Sequence, residues 1–301
     1  MSVANGGHLP WLVDTHTHLD DPVFDGLTDK VLDDARVVGV ARCVNIGYRP
    51  ERWQATRALS ARRPEVAVAL GLHPAHAEQW SPSLLKALRS ELRSSKAVAI
   101  GEAGLDYFRP GPSAAHQEEA FTRQIELALE LGLPLVIHQR DAERRLLEIL
   151  ASFSLLPSIV LHSFDGSALL AAFAVERGLF VGVGGLATRP RASSLRETLA
   201  MIPVERVLLE TDSPYLKPHG ARGRFNTPST LPSILTVVAQ IWRVSPSQLA
   251  AGTSATAYRL FGLGRPVAEE NDDGTLTKRE RATSTEPHKR RQVGCPGEAQ
   301  P

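Results

Sequence analysis

Cysteine is scarce. The 301-residue chain has two, Cys43 in an apolar run and Cys295 in a polar one. That excludes a disulfide-stapled scaffold or a cysteine-rich zinc knuckle and fits a reducing compartment. Long hydrophobic runs are missing too. The longest wholly apolar stretch, Ala168 to Val175, falls well short of the roughly 18 residues that a membrane-spanning helix needs. The first ten residues lack the basic-then-apolar order of a secretory signal. The expected setting is the cytoplasm, with no membrane association and no obligate protein partner. No charge of one sign dominates, since 34 Lys and Arg against 33 Asp and Glu leave a formal net charge of +1. A chain coated all over for nucleic-acid binding is thereby excluded, while a local basic rim is not. With 23 Gly and 21 Pro the chain is also too poor in both for low-complexity disorder.

What the sequence does contain is alternation. Short β-branched apolar runs recur at Leu12 to Asp14, Val37 to Ile46, Val66 to Leu72, Ala97 to Gly101, Leu135 to His138, Ile159 to His162, Phe180 to Val183 and Val207 to Glu210. Segments of helical period separate them. Ser81-Pro82 opens one such segment, and Ser245-Pro246-Ser247-Gln248 offers a capping box to the last. The strand runs are continuously apolar, as strands buried on both faces require. Eight strand-helix repeats point to a parallel sheet covered by helices. The span from 11 to 264 matches the roughly 250 residues of a (β/α)8 TIM barrel. No Gly-x-Gly-x-x-Gly turn follows the first strand, which disfavours a doubly wound open sheet. We therefore expect an α/β protein with one barrel domain over residues 11–264, after an N-terminal extension over 1–10. Residues 265–301 contain no aromatic residue and few aliphatic ones. They are expected to form a disordered polar tail, its Lys289-Arg290-Arg291 cluster solvated.

The chemistry-bearing residues cluster by position. Asp14-Thr15-His16-Thr17-His18-Leu19-Asp20 ends the first strand, and side chains at i and i+2 of a strand point the same way. His16 and His18 can therefore grip one cation. Alone, His-x-His is as easily ordinary packing as a site. Glu102, His138, His162 and Asp212, however, each follow or end another apolar run. In a barrel the carboxyl ends of the strands converge on the face that carries active sites. Six nitrogen and oxygen donors crowded at one end are costly without a cation to compensate them, and a metal centre is expected there. Arg140 stands at i+2 from His138, while Arg222 and Arg224 follow the eighth strand, where barrels bind phosphate. His73 ends the third strand and suits either a substrate contact or a structural histidine. His76, His116, Trp53, Trp80 and Trp242 read as helix or packing residues. The glycines of Gly182-Val183-Gly184-Gly185 either admit a substrate backbone or loosen that strand end.

Six ordered motifs carry a resemblance: His16-Thr17-His18-Leu19-Asp20, Gly71-Leu72-His73-Pro74, Gly101 to Tyr107, Leu133 to Ala142, Leu161 to Gly166 and Leu209 to Leu216. Over residues 11–263 the chain resembles the TatD family of metal-dependent deoxyribonucleases, amidohydrolase-like barrels. The resemblance implies a phosphodiesterase with two divalent cations of Mg, Mn or Zn. His16, His18 and Asp212 would hold the first, Glu102 would bridge, and His138 and His162 would hold the second. Asp212 and Glu102 are the expected catalytic residues, Asp212 as general base; Arg222 and Arg224 match the family's basic loop and, with Arg140 and His73, are the expected substrate contacts. The implied substrate is DNA, at single-stranded ends and cut exonucleolytically. Two departures stand out: Thr227 where the family commonly has Glu or Gln, and Thr256 where it has Asn. Two other readings stay open. One is an amidohydrolase-like esterase or amidase, such as a D-aminoacyl-tRNA deacylase, and the other is a barrel kept as a non-catalytic scaffold.

Overall fold

The structure is a computed structural model and describes residues 11–264. The N-terminal extension and polar tail expected from the sequence, with Cys295 and Lys289 to Arg291, lie outside the described residues.

Eight parallel strands run in chain order around one sheet: β1 (Leu12–Thr17), β2 (Val40–Gly47), β3 (Val66–Leu70), β4 (Ala99–Asp106), β5 (Leu135–Arg140), β6 (Ile159–Leu161), β7 (Phe180–Val183) and β8 (Val207–Leu209). Helices α1 (Thr28–Val37), α2 (Pro50–Arg62), α3 (Pro82–Ser94), α4 (Ala114–Leu131), α5 (Glu143–Ala151), α6 (Ala168–Arg177), α7 (Ser193–Leu199) and α8 (Leu231–Ile241) alternate with them, and α9 (Pro246–Leu260) ends the order. The ring closes where the segment after β8 meets β1. The Asp212 N–H donates to the His16 carbonyl (2.9 Å), the His18 N–H donates to the Ser213 carbonyl (2.7 Å), and the Thr15 hydroxyl donates to the Leu209 carbonyl. The fold is a (β/α)8 barrel.

Alternation along the strands builds two cores. Val13, Val44, Ile46, Ala69, Ala99, Val136, Val160 and Leu208 meet inside the ring, where Ala257 and Phe261, on α9 and just after it, pack against them. The intervening residues, among them Leu12, Cys43, Val68, Ile100, Leu135, Ile137, Leu161, Val181 and Leu209, pack outward against the helices. Start signals behave as the sequence predicts. The Ser81 hydroxyl accepts from the Leu84 N–H, and Ser245 with Gln248 forms a reciprocal capping box.

Strand ends depart from the apolar runs. Val37 closes α1 and is 86% exposed, and Gly39 (φ 94°) turns the chain before β2. At the other extreme, β4 and β5 continue beyond their apolar runs, still paired through Gly104–His138 and Asp106–Arg140.

Candidate metal centre

Two irregularities aim the first donors. The register of β1 on β2 shifts between Asp14 and Thr17, and that of β4 on β5 shifts between Ile100 and Ala103. A one-residue shift moves a side chain to the other face of its strand. By strict alternation from Val13 and Ala99, His16 and Glu102 would point at the helices; the shifts turn both into the barrel mouth. Strands β5, β6 and β8 are regular, so inward Val136, Val160 and Leu208 lead by alternation to His138, His162, Glu210 and Asp212.

All six donors named from the sequence come together. His16 Nε2 and His18 Nε2 stand 3.3 Å apart. Glu102 Oε2 is 3.5 Å from the first and 3.8 Å from the second, and Asp212 Oδ1 is 3.8 Å and 3.4 Å away from them. Donors placed roughly 2.0–2.2 Å from a tetrahedral cation would have edges of roughly 3.3–3.6 Å, so this quartet is spaced to enclose one. The other oxygen of Glu102 faces a second set: Oε1 lies 2.8 Å from His138 Nδ1, 3.1 Å from His162 Nε2 and 3.7 Å from His73 Nε2.

Four further groups hold these donors. Asp106 Oδ2 is 3.2 Å from His138 Nε2, Glu210 Oε1 is 3.2 Å from His162 Nδ1, and the Ile46 carbonyl is 3.2 Å from His18 Nδ1. Such outer partners fix the tautomer and direction of a ligating imidazole. Asp14 supports Asp212 through its chain neighbour, since its carboxylate accepts from the Thr211 N–H (2.9 Å) and hydroxyl (2.6 Å). Sequence reading missed Asp106, Glu210 and Asp14. A period of two continued outward from Glu102 and back from Asp212 would have found the first two.

His73 plays a different part from the other imidazoles. Its Nδ1 accepts from the Ala75 N–H at 3.0 Å. In the neutral ring the proton therefore sits on Nε2, aimed at Glu102. Burial pushes its pKa down to about 3, so the ring stays neutral and offers a hydrogen, not a lone pair.

The electrostatics call for positive charge. Glu102, Asp106, Glu210 and Asp212 are all buried, and no Lys or Arg within their contact distance is itself buried. Burial opposes ionisation of Glu102, yet His162, with hydrogen bonds from His138 and His16, holds its pKa well below the carboxylate range. Asp106 is likewise resisted by burial but drawn down to about 2 by His138 and the N–H groups of Arg109 and Phe108. Ionised carboxylates in a dry pocket need cations, and this donor set fits divalent metal. Two overlapping subsets, His16 with His162 and Asp212, and His16 with His18 and Glu102, each bring ligand atoms within 4.8 Å of one another.

The arginines lie farther out. The Arg140 guanidinium carbon sits 3.7 Å over the Phe108 ring centroid. Arg222 and Arg224 are exposed and make no ion pair among the described residues. The glycines after β7 serve the fold: a Cβ at Gly182 would fall 2.0 Å from Glu210 Oε2, and one at Gly185 1.9 Å from the Leu216 carbonyl oxygen. They make room for Glu210 and the loop behind it. Trp53 and Trp242 donate to the Gly71 and Ile202 carbonyls, as packing residues do. The Thr256 hydroxyl donates to the Glu205 carbonyl and accepts from Arg259.

A family model described as TatD related DNase matches residues 13–262. The chain belongs to that family. Among its TatD relatives is the 3'-5' ssDNA/RNA exonuclease TatD of Cronobacter sakazakii, 38% identical over 257 residues, covering 83% of this chain and 97% of the relative. The uncharacterized metal-dependent hydrolase TatD of Mycobacterium tuberculosis is 36% identical over 262 residues, 84% of this chain and 98% of that protein. In three dimensions the barrel is similar to the crystal structure of YjjV, a TatD homologue from Escherichia coli, with a TM-score of 0.79, 33% identity and coverage of 84% and 98%. The protein is thus a TatD-type hydrolase, and among the described residues no helix is long and apolar enough to cross a membrane.

Proposed function

We propose that this TatD-type hydrolase cleaves phosphodiester bonds at the ends of single-stranded DNA, using two divalent cations. The observation that carries the reading is the two-sided position of Glu102, with Oε2 among His16, His18 and Asp212 and Oε1 between His138 and His162. One carboxylate facing two donor sets is what a bridging ligand requires. We assign His16, His18 and Asp212 to the first cation, Glu102 to both, and His138 and His162 to the second. When bound, such a pair supplies Lewis-acid charge that makes water nucleophilic and stabilises the attacking and leaving oxygens of an in-line displacement. Imidazole-rich ligation favours Zn or Mn over Mg.

The chain's own groups do the rest. Asp212, buried and held ionised against burial by His18, His162 and His16, accepts the proton of the attacking water. Asp106 and Glu210 keep the imidazoles of His138 and His162 aimed. The Nε2–H of His73 donates a hydrogen bond into the same space, suited to a phosphoryl oxygen. Arg222 and Arg224 hold the strand's phosphates from the rim. The names of relatives such as the Cronobacter sakazakii exonuclease support a nucleic-acid substrate, and the free arginines favour phosphorus over a carbonyl carbon as the centre attacked.

The test combines metal analysis of the purified protein with hydrolysis of labelled oligonucleotides and aminoacyl esters. About two cations per chain and chelator-sensitive cleavage of single strands are expected. His138→Ala and Asp212→Ala should each lower kcat by roughly a thousandfold or more with the fold intact. Chelator-insensitive cleavage, or wild-type rates in both variants, refutes the assignment; preferential ester cleavage moves the substrate to aminoacyl-tRNA.

A further inference from the structure

The chain's aromatic residues are unevenly exposed. Every Trp is at least partly buried, and so is every Phe except Phe108; the exposed aromatic side chains are Tyr107 (37%), Phe108 (56%) and Tyr215 (47%). All three stand on loops that follow β4 and β8, on the face that carries the metal centre. Four strands apart in a ring of eight, β4 and β8 oppose each other across the mouth. Single exposed apolar residues are ordinary on any surface. Confinement of every exposed aromatic to one rim is not.

Phe108 is also held in place. Asp106, whose Oδ2 touches His138, uses Oδ1 to accept from the N–H groups of both Phe108 (3.1 Å) and Arg109 (3.1 Å). Gln117 on α4 clamps the same turn, its Oε1 accepting from the Asp106 N–H and its Nε2 donating to the Asp106 and Pro112 carbonyls. The backbone that carries the ring is therefore anchored by the residue that aims one of the centre's imidazoles. The Arg140 guanidinium carbon stands over one face, 3.7 Å from the ring centroid, and Arg140 makes no ion pair among the described residues. That leaves the other face of Phe108 for a planar ligand and the guanidinium free for an anion. Tyr107 and Gln139, chain neighbours of this pair, line a cavity of about 450 Å³ with Arg144 and Asp165, within the usual range of small-ligand clefts.

A planar ring backed by an unpaired guanidinium matches a nucleotide, whose base stacks and whose phosphate pairs. We propose that Phe108, backed by Arg140, is a stacking platform for a base of the single strand whose phosphodiester is held at the metal centre. The proposal rests on the nuclease reading and names a subsite for it.

The experiment uses the full metal-loaded protein and two strands of equal length with phosphorothioate terminal linkages, so that binding is read without cleavage. One carries 2-aminopurine near its 3' end and the other an abasic site there. Wild type should quench the 2-aminopurine fluorescence. Phe108→Ala should weaken binding of the base-bearing strand relative to the abasic one by about five- to a hundredfold, and Phe108→Trp should restore both quenching and preference. Equal affinity ratios in wild type and Phe108→Ala, or no quenching by wild type, overturn the platform. Quenching that depends on Phe108, beside no hydrolysis of an ordinary phosphodiester strand, keeps the platform and sinks the nuclease reading. Hydrolysis without any dependence on Phe108 does the reverse.

Discussion

At the scale of single residues, the centre is a matter of which nitrogen holds its proton. Asp106 faces His138 Nε2 while Glu102 faces Nδ1, so the outer carboxylate decides which lone pair looks inward. Asp106→Asn should therefore lower metal affinity or kcat by roughly ten- to a hundredfold, read by metal titration alongside turnover; an unchanged affinity and rate would deny it this role. His73 makes a prediction of opposite character. Its pKa is depressed from 6.5 to about 3 by burial, so between those values the unfolded chain takes up a proton that the folded one refuses. The stability it contributes is whole above pH 6.5 and is lost as the pH falls toward 3. Urea unfolding from pH 7 to pH 4 should give a shallower acid-side loss for His73→Gln than for wild type, and equal slopes would show that the ring is not buried neutral. His16, His18, Glu102, His138, His162 and Asp212 were legible because each marks the end of an apolar run. Asp106 and Asp14 were not, since one lies past the run on β4 and the other reads as an ordinary strand residue until Thr211 is beside it.

At the scale of elements, apolar runs locate the strands but not their limits: β2 starts at Val40, three residues into its run. The apolar run before Glu102 stops at Gly101, but β4 goes on to Asp106 because β5 continues to pair with it. The two register shifts that turn His16 and Glu102 inward depend on inter-strand pairing and leave no trace in a one-dimensional pattern. The glycines after β7 also gain their reason only from a neighbour. Gly182→Ala would set a methyl group 2.0 Å from Glu210 Oε2, forcing Glu210 off His162. Overpacking of this kind costs about 1–3 kcal/mol. A lowered Tm with reduced metal occupancy is expected, and wild-type occupancy would show that Glu210 has slack.

At the scale of the whole molecule, eight runs spaced over about 250 residues were enough to name the barrel, but its closure was not readable. The seam is made by backbone groups of 16, 18, 212 and 213, whose sequence advertises ligands and not pairing. The near-zero net charge has its own consequence. On the proposed reading, attraction for a polyanion comes from a few rim arginines, and the salt dependence of binding counts them. For single strands each phosphate contact contributes a slope of about 0.7 in log K against log salt. Replacing Arg222 and Arg224 with Ala should lower the slope by roughly 1.4, and an unaltered slope would place the strand elsewhere.

The seam between β1 and the segment after β8 has a consequence for biosynthesis. Two histidines emerge from the ribosome nearly two hundred residues before their carboxylate partner at 212. Until it arrives, the nascent sheet has two bare edges and an incomplete ligand set. Completion of the ligand set and closure of the ring thus both wait for the segment after β8.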